Sequence, residues 1–180
     1  MNKKPKVEQK LKPSDVQVSV LFESKEQSVP SLKKLSRYIL LLALDELNYP
    51  INTYSASFFA CGLETIRRLN LDFLNKKHST NVLSWPQKNY RKEEVTNLPS
   101  IPSVYFGARK SVFLGDIAIS LDYCKEESSK LGVNFREHFK LVITHSILHL
   151  LGFEHENDTD AKIMEGMEKL LLSRTSSIWI

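Results

Sequence analysis

The segment THSILHLLGFEH, residues 144–155, decides how this chain is read. His145 and His149 stand four apart inside an apolar run. On an α-helix such residues share one face, a turn apart, so their imidazoles project side by side. Gly152 can then adopt positive φ, stop the helix and turn the chain back. That reversal carries His155 toward the point where the first two rings converge. Three imidazoles around one ion leave a coordination position open, which is the catalytic rather than the structural form of a zinc site. The segment thus predicts a helix, a turn and one metal site spanning both. His78 and His138 lack this spacing and are read as ordinary core or interface histidines.

Outward from this segment, strands and helices mix without regular repetition. Val16, Val18, Val20 and Phe22 alternate as a strand. A helix over 31–47 places Leu32, Leu35, Ile39 and Leu42 toward a core and ends at Asn48-Tyr49-Pro50, because proline cannot continue the ladder. A strand over 53–61 precedes a helix over 62–74, buried through Ile66, Leu69 and Phe73. Residues 75–111 lack strong periodicity and carry Pro86, Pro99 and Pro102. They read as a short strand at 81–85 and a long exposed loop, a place where substrate contacts gather. A strand over 112–120, interrupted at Gly115-Asp116, leads to helices over 121–131 and 135–151. Asn157 or Asp158 caps a last helix to about residue 172, buried through Ile163, Met167, Leu170 and Leu171. The expected class is α+β: one small mixed sheet packed with helices, the metal site on a helix and the turn after it.

With 180 residues and 42% apolar composition, the chain suits one compact domain. We expect a basic flexible tail over 1–15, with lysines at positions 3, 4, 6, 10 and 12, and a single domain over 16–180. No apolar stretch approaches the ~20 residues of a membrane span, and no apolar segment follows the first lysines as in a secretory signal. Cys61 and Cys124 show no CxxC spacing, so both read as buried or reduced thiols of a cytoplasmic protein. The net charge of +4 is uneven: residues 67–110 hold nine basic side chains against Asp72, Glu93 and Glu94. That asymmetry favours a polyanionic partner, although a solvated basic surface would look the same. The Lys76-Lys77 and Arg109-Lys110 pairs are the candidates for binding such a polyanion, and Trp85 or Tyr90 offers an aromatic face for stacking, should it be a single-stranded nucleic acid, or for plain packing.

The histidine spacing matches the metzincin pattern H-E-x-x-H-x-x-G-x-x-H except at one position. The general-base glutamate of that pattern falls on Ser146, whose hydroxyl cannot accept a proton unaided. Glu154 and Glu156 flank the third histidine and suit support of a ligand or simple exposure. Asp116 is a candidate partner for a backbone group near the site, and Met164 reads as a core methionine. No residue is identified as the catalytic base.

The chain resembles the YbeY family of bacterial metal-dependent endoribonucleases. His145-Ser-Ile-Leu-His149-Leu-Leu-Gly152-Phe-Glu-His155 is similar to the family's H-G-x-L-H-L-x-G-[YF]-[DE]-H. Leu69-Asn70 with Thr80-Asn-Val-Leu-Ser-Trp-Pro86 resembles its LN and T-[DN]-V-L-S-F-P blocks, and Leu114-Gly-Asp-Ile117 its L-G-D-I strand. The resemblance implies one Zn2+ on His145, His149 and His155, and cleavage of single-stranded RNA. It further implies roles in small-subunit ribosomal RNA maturation and ribosome quality control, with ribosome or small-subunit proteins as partners. Two positions depart from the family: Ser146 replaces a glycine, and Phe73-Leu74 stands where an aromatic-arginine pair is usual. Leucine cannot hold phosphate, and lysine at 76 or 77 lacks the bidentate fork. A metalloprotease and a non-catalytic assembly factor whose metal merely holds the fold are the rival readings. Imidazole ligands favour zinc, and nickel or cobalt would fit the same cage.

Overall fold

Alternation along Val16–Phe22 (β1) buries Val16 and Val18 and leaves Gln17 and Ser19 exposed, so only one sheet face is fully covered here. The computed structural model describes residues 11–25, 28–29, 31–49, 52–87 and 111–175. After β1 come Leu32–Glu46 (α1), Thr53–Cys61 (β2), Leu63–Leu74 (α2), Val82–Pro86 (β3) and Ser111–Ser120 (β4). Leu121–Leu131 (α3), Phe135–Leu150 (α4) and Asp158–Arg174 (α5) complete the chain. Pro13–Asp15 forms a short 3-10 turn with Asp15 buried, and residues 1–10 of the expected tail lie outside the described residues.

The sheet order is β1-β2-β4-β3, with β1, β2 and β4 parallel and β3 antiparallel to β4. This is the expected α+β class with a mixed sheet, one crossover of which, through α1, is parallel. One face carries the main core: Tyr54, Phe58, Ile117 and Ile119 meet Leu35, Ile39, Phe139, Ile143 and Ile147 from α1 and α4. On the other face, Cys61, Ile66, Leu83 and Ala118 make a smaller core beneath α2. Among the described residues no helix is long and apolar enough to cross a membrane.

Several sequence expectations shift by a fraction of a turn. Leu42 is only partly buried while Leu40, Ala43 and Leu44 are fully buried, since α1 presents a broad face rather than a stripe. Phe73 stays 62% exposed at the end of α2 and packs edge-to-face on Trp85 at 5.1 Å. Ile163 is exposed and Met164 buried, because the first turns of α5 roll Met164 onto the core. The interruption expected at Gly115-Asp116 is instead a bulge in an unbroken strand: Ser55 pairs Phe113 and Ala56 pairs Gly115, leaving Leu114 as the extra residue.

Both cysteines are buried and free. Burial, before any charge effect, pushes each thiol up to about 12, so neither is a ready nucleophile.

Candidate metal centre

The centre is built on α4, the most enclosed helix of the fold. From Leu141 to Leu150 it is buried everywhere except at Leu141, His145 and His149. These three, at i, i+4 and i+8, form one strip that escapes the core. Over its last ten residues α4 therefore reaches solvent only along this strip, where two of the three side chains are imidazoles. Ser146, the next residue, turns inward: it is fully buried and its Oγ donates to the Ile143 carbonyl at 2.8 Å.

The turn after α4 has the geometry its glycine demands. Gly152 sits at φ +90°. Its N–H donates to the His149 carbonyl at 3.0 Å, and the Phe153 N–H donates to the Leu148 carbonyl at 3.0 Å. These are the paired bonds of a Schellman motif, with Phe153 buried against the core. The reversal does two things at once. It delivers His155 to the two helical rings, and it swings the Phe153 carbonyl onto His149 Nδ1 at 2.9 Å.

One ligand nitrogen from each of His145, His149 and His155 lies within 4.8 Å of the others. Ring centroids are separated by 4.6, 5.2 and 5.1 Å. A carbonyl and a carboxylate only accept, so Nδ1 of His149 donates to Phe153, and Nδ1 of His145 donates to Glu168 Oε1 at 2.7 Å. Both rings are thereby held in the tautomer whose Nε2 carries the lone pair. Those two Nε2 atoms face each other at 3.1 Å. Two lone pairs so placed repel unless a cation lies between them, and two metal–nitrogen bonds of ~2.0–2.1 Å at a tetrahedral angle need about 3.3 Å. The donor set fits a divalent ion held by three histidines. Burial first, then the neighbouring His145 and His155 charges, lower the His149 pKa to about 4, so this ring stays neutral and able to ligate.

Glu168 is the residue the sequence reading missed. It lies on α5, 23 positions from His145, and is only 13% exposed. A carboxylate behind a ligating imidazole orients the ring and raises its basicity. No spacing rule connects the two, because the contact depends on how α5 packs on α4. Glu154 stands 3.6 Å from His149 Nδ1 and lines the same cleft, while Glu156 is exposed.

The cleft in front of the histidines encloses about 340 Å³. Its opposite wall comes from the end of α2 and the start of β3: Leu74, Lys76, His78, Thr80 and Asn81. Asn75 adopts the left-handed conformation at φ +56°, which ends α2 and turns Lys76 into this wall. Lys77 is exposed but does not line the cleft, and Arg109 and Lys110 lie outside the described residues. His78 is not a core residue as expected; it is exposed, at the cleft, because no periodic element carries it inward. His138 is a satisfied core histidine, its Nε2 2.8 Å from Glu127 Oε2. Asp116 is exposed on the sheet face away from α4, beside Ser19 and Trp85, so it is no part of the centre. Trp85 lines that same far groove and packs on Phe73 rather than facing the cleft. Tyr90 lies outside the described residues.

Comparison with known proteins joins this geometry to a family. The family model described as Endoribonuclease YbeY matches residues 15–176. The protein named Endoribonuclease YbeY from Jannaschia sp. (strain CCS1) is 30% identical over 159 residues, 88% of this chain and 96% of its own. Its namesake from Dinoroseobacter shibae is 32% identical over 160 residues, 89% of this chain and 87% of its own. That from Ruegeria pomeroyi reaches 40% over 116 residues, covering 64% of this chain and 69% of its own. In fold, the chain is similar to the solution structure of TM1509 from Thermotoga maritima, with a TM-score of 0.52 and 19% identity over 88% of this chain and 87% of that one. With the family model spanning the whole described fold and the three histidines gathered where the motif predicts, the chain belongs to the Endoribonuclease YbeY family.

Proposed function

We propose that this protein is a single-strand-specific endoribonuclease that works with one zinc ion on His145, His149 and His155. The observation that carries the reading is the convergence of three imidazoles at the floor of a cleft large enough for a nucleotide's phosphate and sugar. Zinc in such a cage supplies Lewis acidity toward a phosphoryl oxygen and acidifies a coordinated water. The chain's own residues supply the rest. Glu168 and the Phe153 carbonyl hold the ligand rings in register. Lys76, on the opposite wall, offers an ammonium to the phosphodiester. Lys77, exposed just past Lys76, adds positive charge near the cleft mouth, and Arg109 and Lys110 remain further RNA-binding candidates by sequence. Glu154, half-buried, lines the cleft and lies 3.6 Å from His149 Nδ1. The cellular substrate on this reading is small-subunit ribosomal RNA in a cytoplasmic maturation and quality-control pathway, with ribosomal proteins as partners.

Two rivals meet different fates. A metalloprotease of the metzincin type needs a base at position 146, and Ser146 is buried with its hydroxyl spent on the helix. A non-catalytic assembly factor gains support from Leu74, which lines the cleft without any phosphate-binding group. Incubating zinc-loaded protein with unstructured RNA and with casein separates all three. RNA cleavage alone is the expected result. Casein cleavage alone would replace the proposal with a protease, and neither with an assembly factor.

A further inference from the structure

The cleft wall facing the three histidines is fixed by a contact that the metal chemistry does not use. Asn81 and Thr80 both line the cleft. Behind Asn81, its amide Nδ2 donates to Glu127 Oε2 at 2.8 Å. The same carboxylate oxygen receives His138 Nε2 at 2.8 Å. Glu127 belongs to α3 and His138, only 8% exposed, to α4, so two helices meet at the carboxylate that holds this amide. A carboxylate cannot donate, and therefore both nitrogens must. That settles the amide's orientation from its partners: nitrogen toward Glu127, oxygen away from it. Oδ1 accepts a long, weak hydrogen bond from Thr80 Oγ1 at 3.5 Å, which leaves the second of its two lone pairs for another donor.

We propose that Asn81 contacts the substrate, its Oδ1 accepting a hydrogen bond from a donor on the strand, and that Glu127 and His138 are positioning residues that keep this oxygen turned into the cleft. The proposal rests on the endoribonuclease reading. Single-stranded RNA offers three donors of the required kind: the ribose 2′-hydroxyl, the exocyclic amino group of adenine, cytosine or guanine, and the imino N–H of uracil or guanine. An acceptor locked from behind discriminates between strands that have the donor and strands that lack it, because it cannot rotate to offer its nitrogen instead.

The test is binding of labelled oligo-U, oligo-dU and oligo-A to zinc-loaded protein, read by fluorescence anisotropy, with the melting temperature of each variant recorded. A 2′-hydroxyl donor predicts oligo-U bound about tenfold more tightly than oligo-dU, the worth of one neutral hydrogen bond. An amino donor predicts a similar preference for oligo-A over oligo-U, and an imino donor the reverse preference, shared by oligo-U and oligo-dU. Asn81→Ala is expected to collapse whichever preference exists, leaving only stacking differences. Glu127→Ala should do the same, yet add nothing in the Asn81→Ala background. His138→Gln, which keeps a donor nitrogen toward Glu127, should retain the preference. A merely structural tie predicts lower melting temperatures with all three ligands weakened in proportion and Glu127→Ala equally costly in both backgrounds. That pattern overturns the proposal, as does a wild type with none of these preferences. Failure to bind any strand overturns the endoribonuclease reading itself and takes this proposal with it.

Discussion

Glu168→Gln is the most informative single change at the ligands. The glutamine amide oxygen still accepts from His145 Nδ1 but no longer places a full negative charge behind the ring. Metal affinity should fall about 10–100-fold with the fold intact, as measured by competition with a chromophoric chelator. Affinity unchanged within twofold would show that Glu168 only fills space. Proton competition acts on the same cluster. His149 has a folded pKa lowered to about 4 against an ordinary 6.5, so the unfolded state binds the extra proton first as pH falls. Stability of the metal-free protein is therefore full above pH 6.5 and declines toward pH 4, by up to about 3 kcal/mol. Urea unfolding at several pH values checks this, and His149→Phe should flatten the profile. The three ligands were legible in sequence because i, i+4 and a helix-ending glycine are local geometry. Glu168, the exposure of His78 and the far-side position of Asp116 were not, since each depends on which elements meet across the fold.

Among elements, β4 and α4 are coupled through a glycine. Gly115 lies at φ +144°, paired with Pro86 next to the bulge. A Cβ there would collide with the Trp85 carbonyl and come to 3.0 Å from Leu150 Cδ2 at the end of the metal helix. Gly115→Ala is expected to destabilise by about 2–4 kcal/mol, through a disfavoured φ and forced separation of β4 from β3 and from the end of α4. Thermal melts would show it; a shift under a degree would mean the strand absorbs the methyl group. Element types and most boundaries were legible, because alternation and caps are short-range signals. Asn157, for example, accepts from the Thr159 and Asp160 N–H groups as an N-cap should. The facing of helices was less so. Periodicity gives relative phase, but it cannot say that α5, with Met164 buried as read, leaves Ile163 exposed, or that α2 leaves Phe73 to cover Trp85. The bulge at Leu114 was read as a break, since glycine and aspartate weaken strand propensity without revealing that β2 continues to pair beyond them.

At the scale of the whole molecule, the sheet order β1-β2-β4-β3 puts β3 beside α4 and so creates the cleft. Nothing in the local sequence specifies that order. It follows from which faces must be buried together, and no strand order was read from the sequence. The account stands or falls on whether the histidine cluster, loaded with metal, cuts RNA. The deciding measurement is cleavage of an unstructured RNA by zinc-loaded protein, beside the chelated protein and His145→Ala, with bound metal quantified in each sample. The account predicts one zinc per chain and cleavage in the first sample, with both lost on chelation and in His145→Ala while the variant stays folded. Intact RNA beside fully loaded protein, or cleavage that survives in His145→Ala, would contradict it.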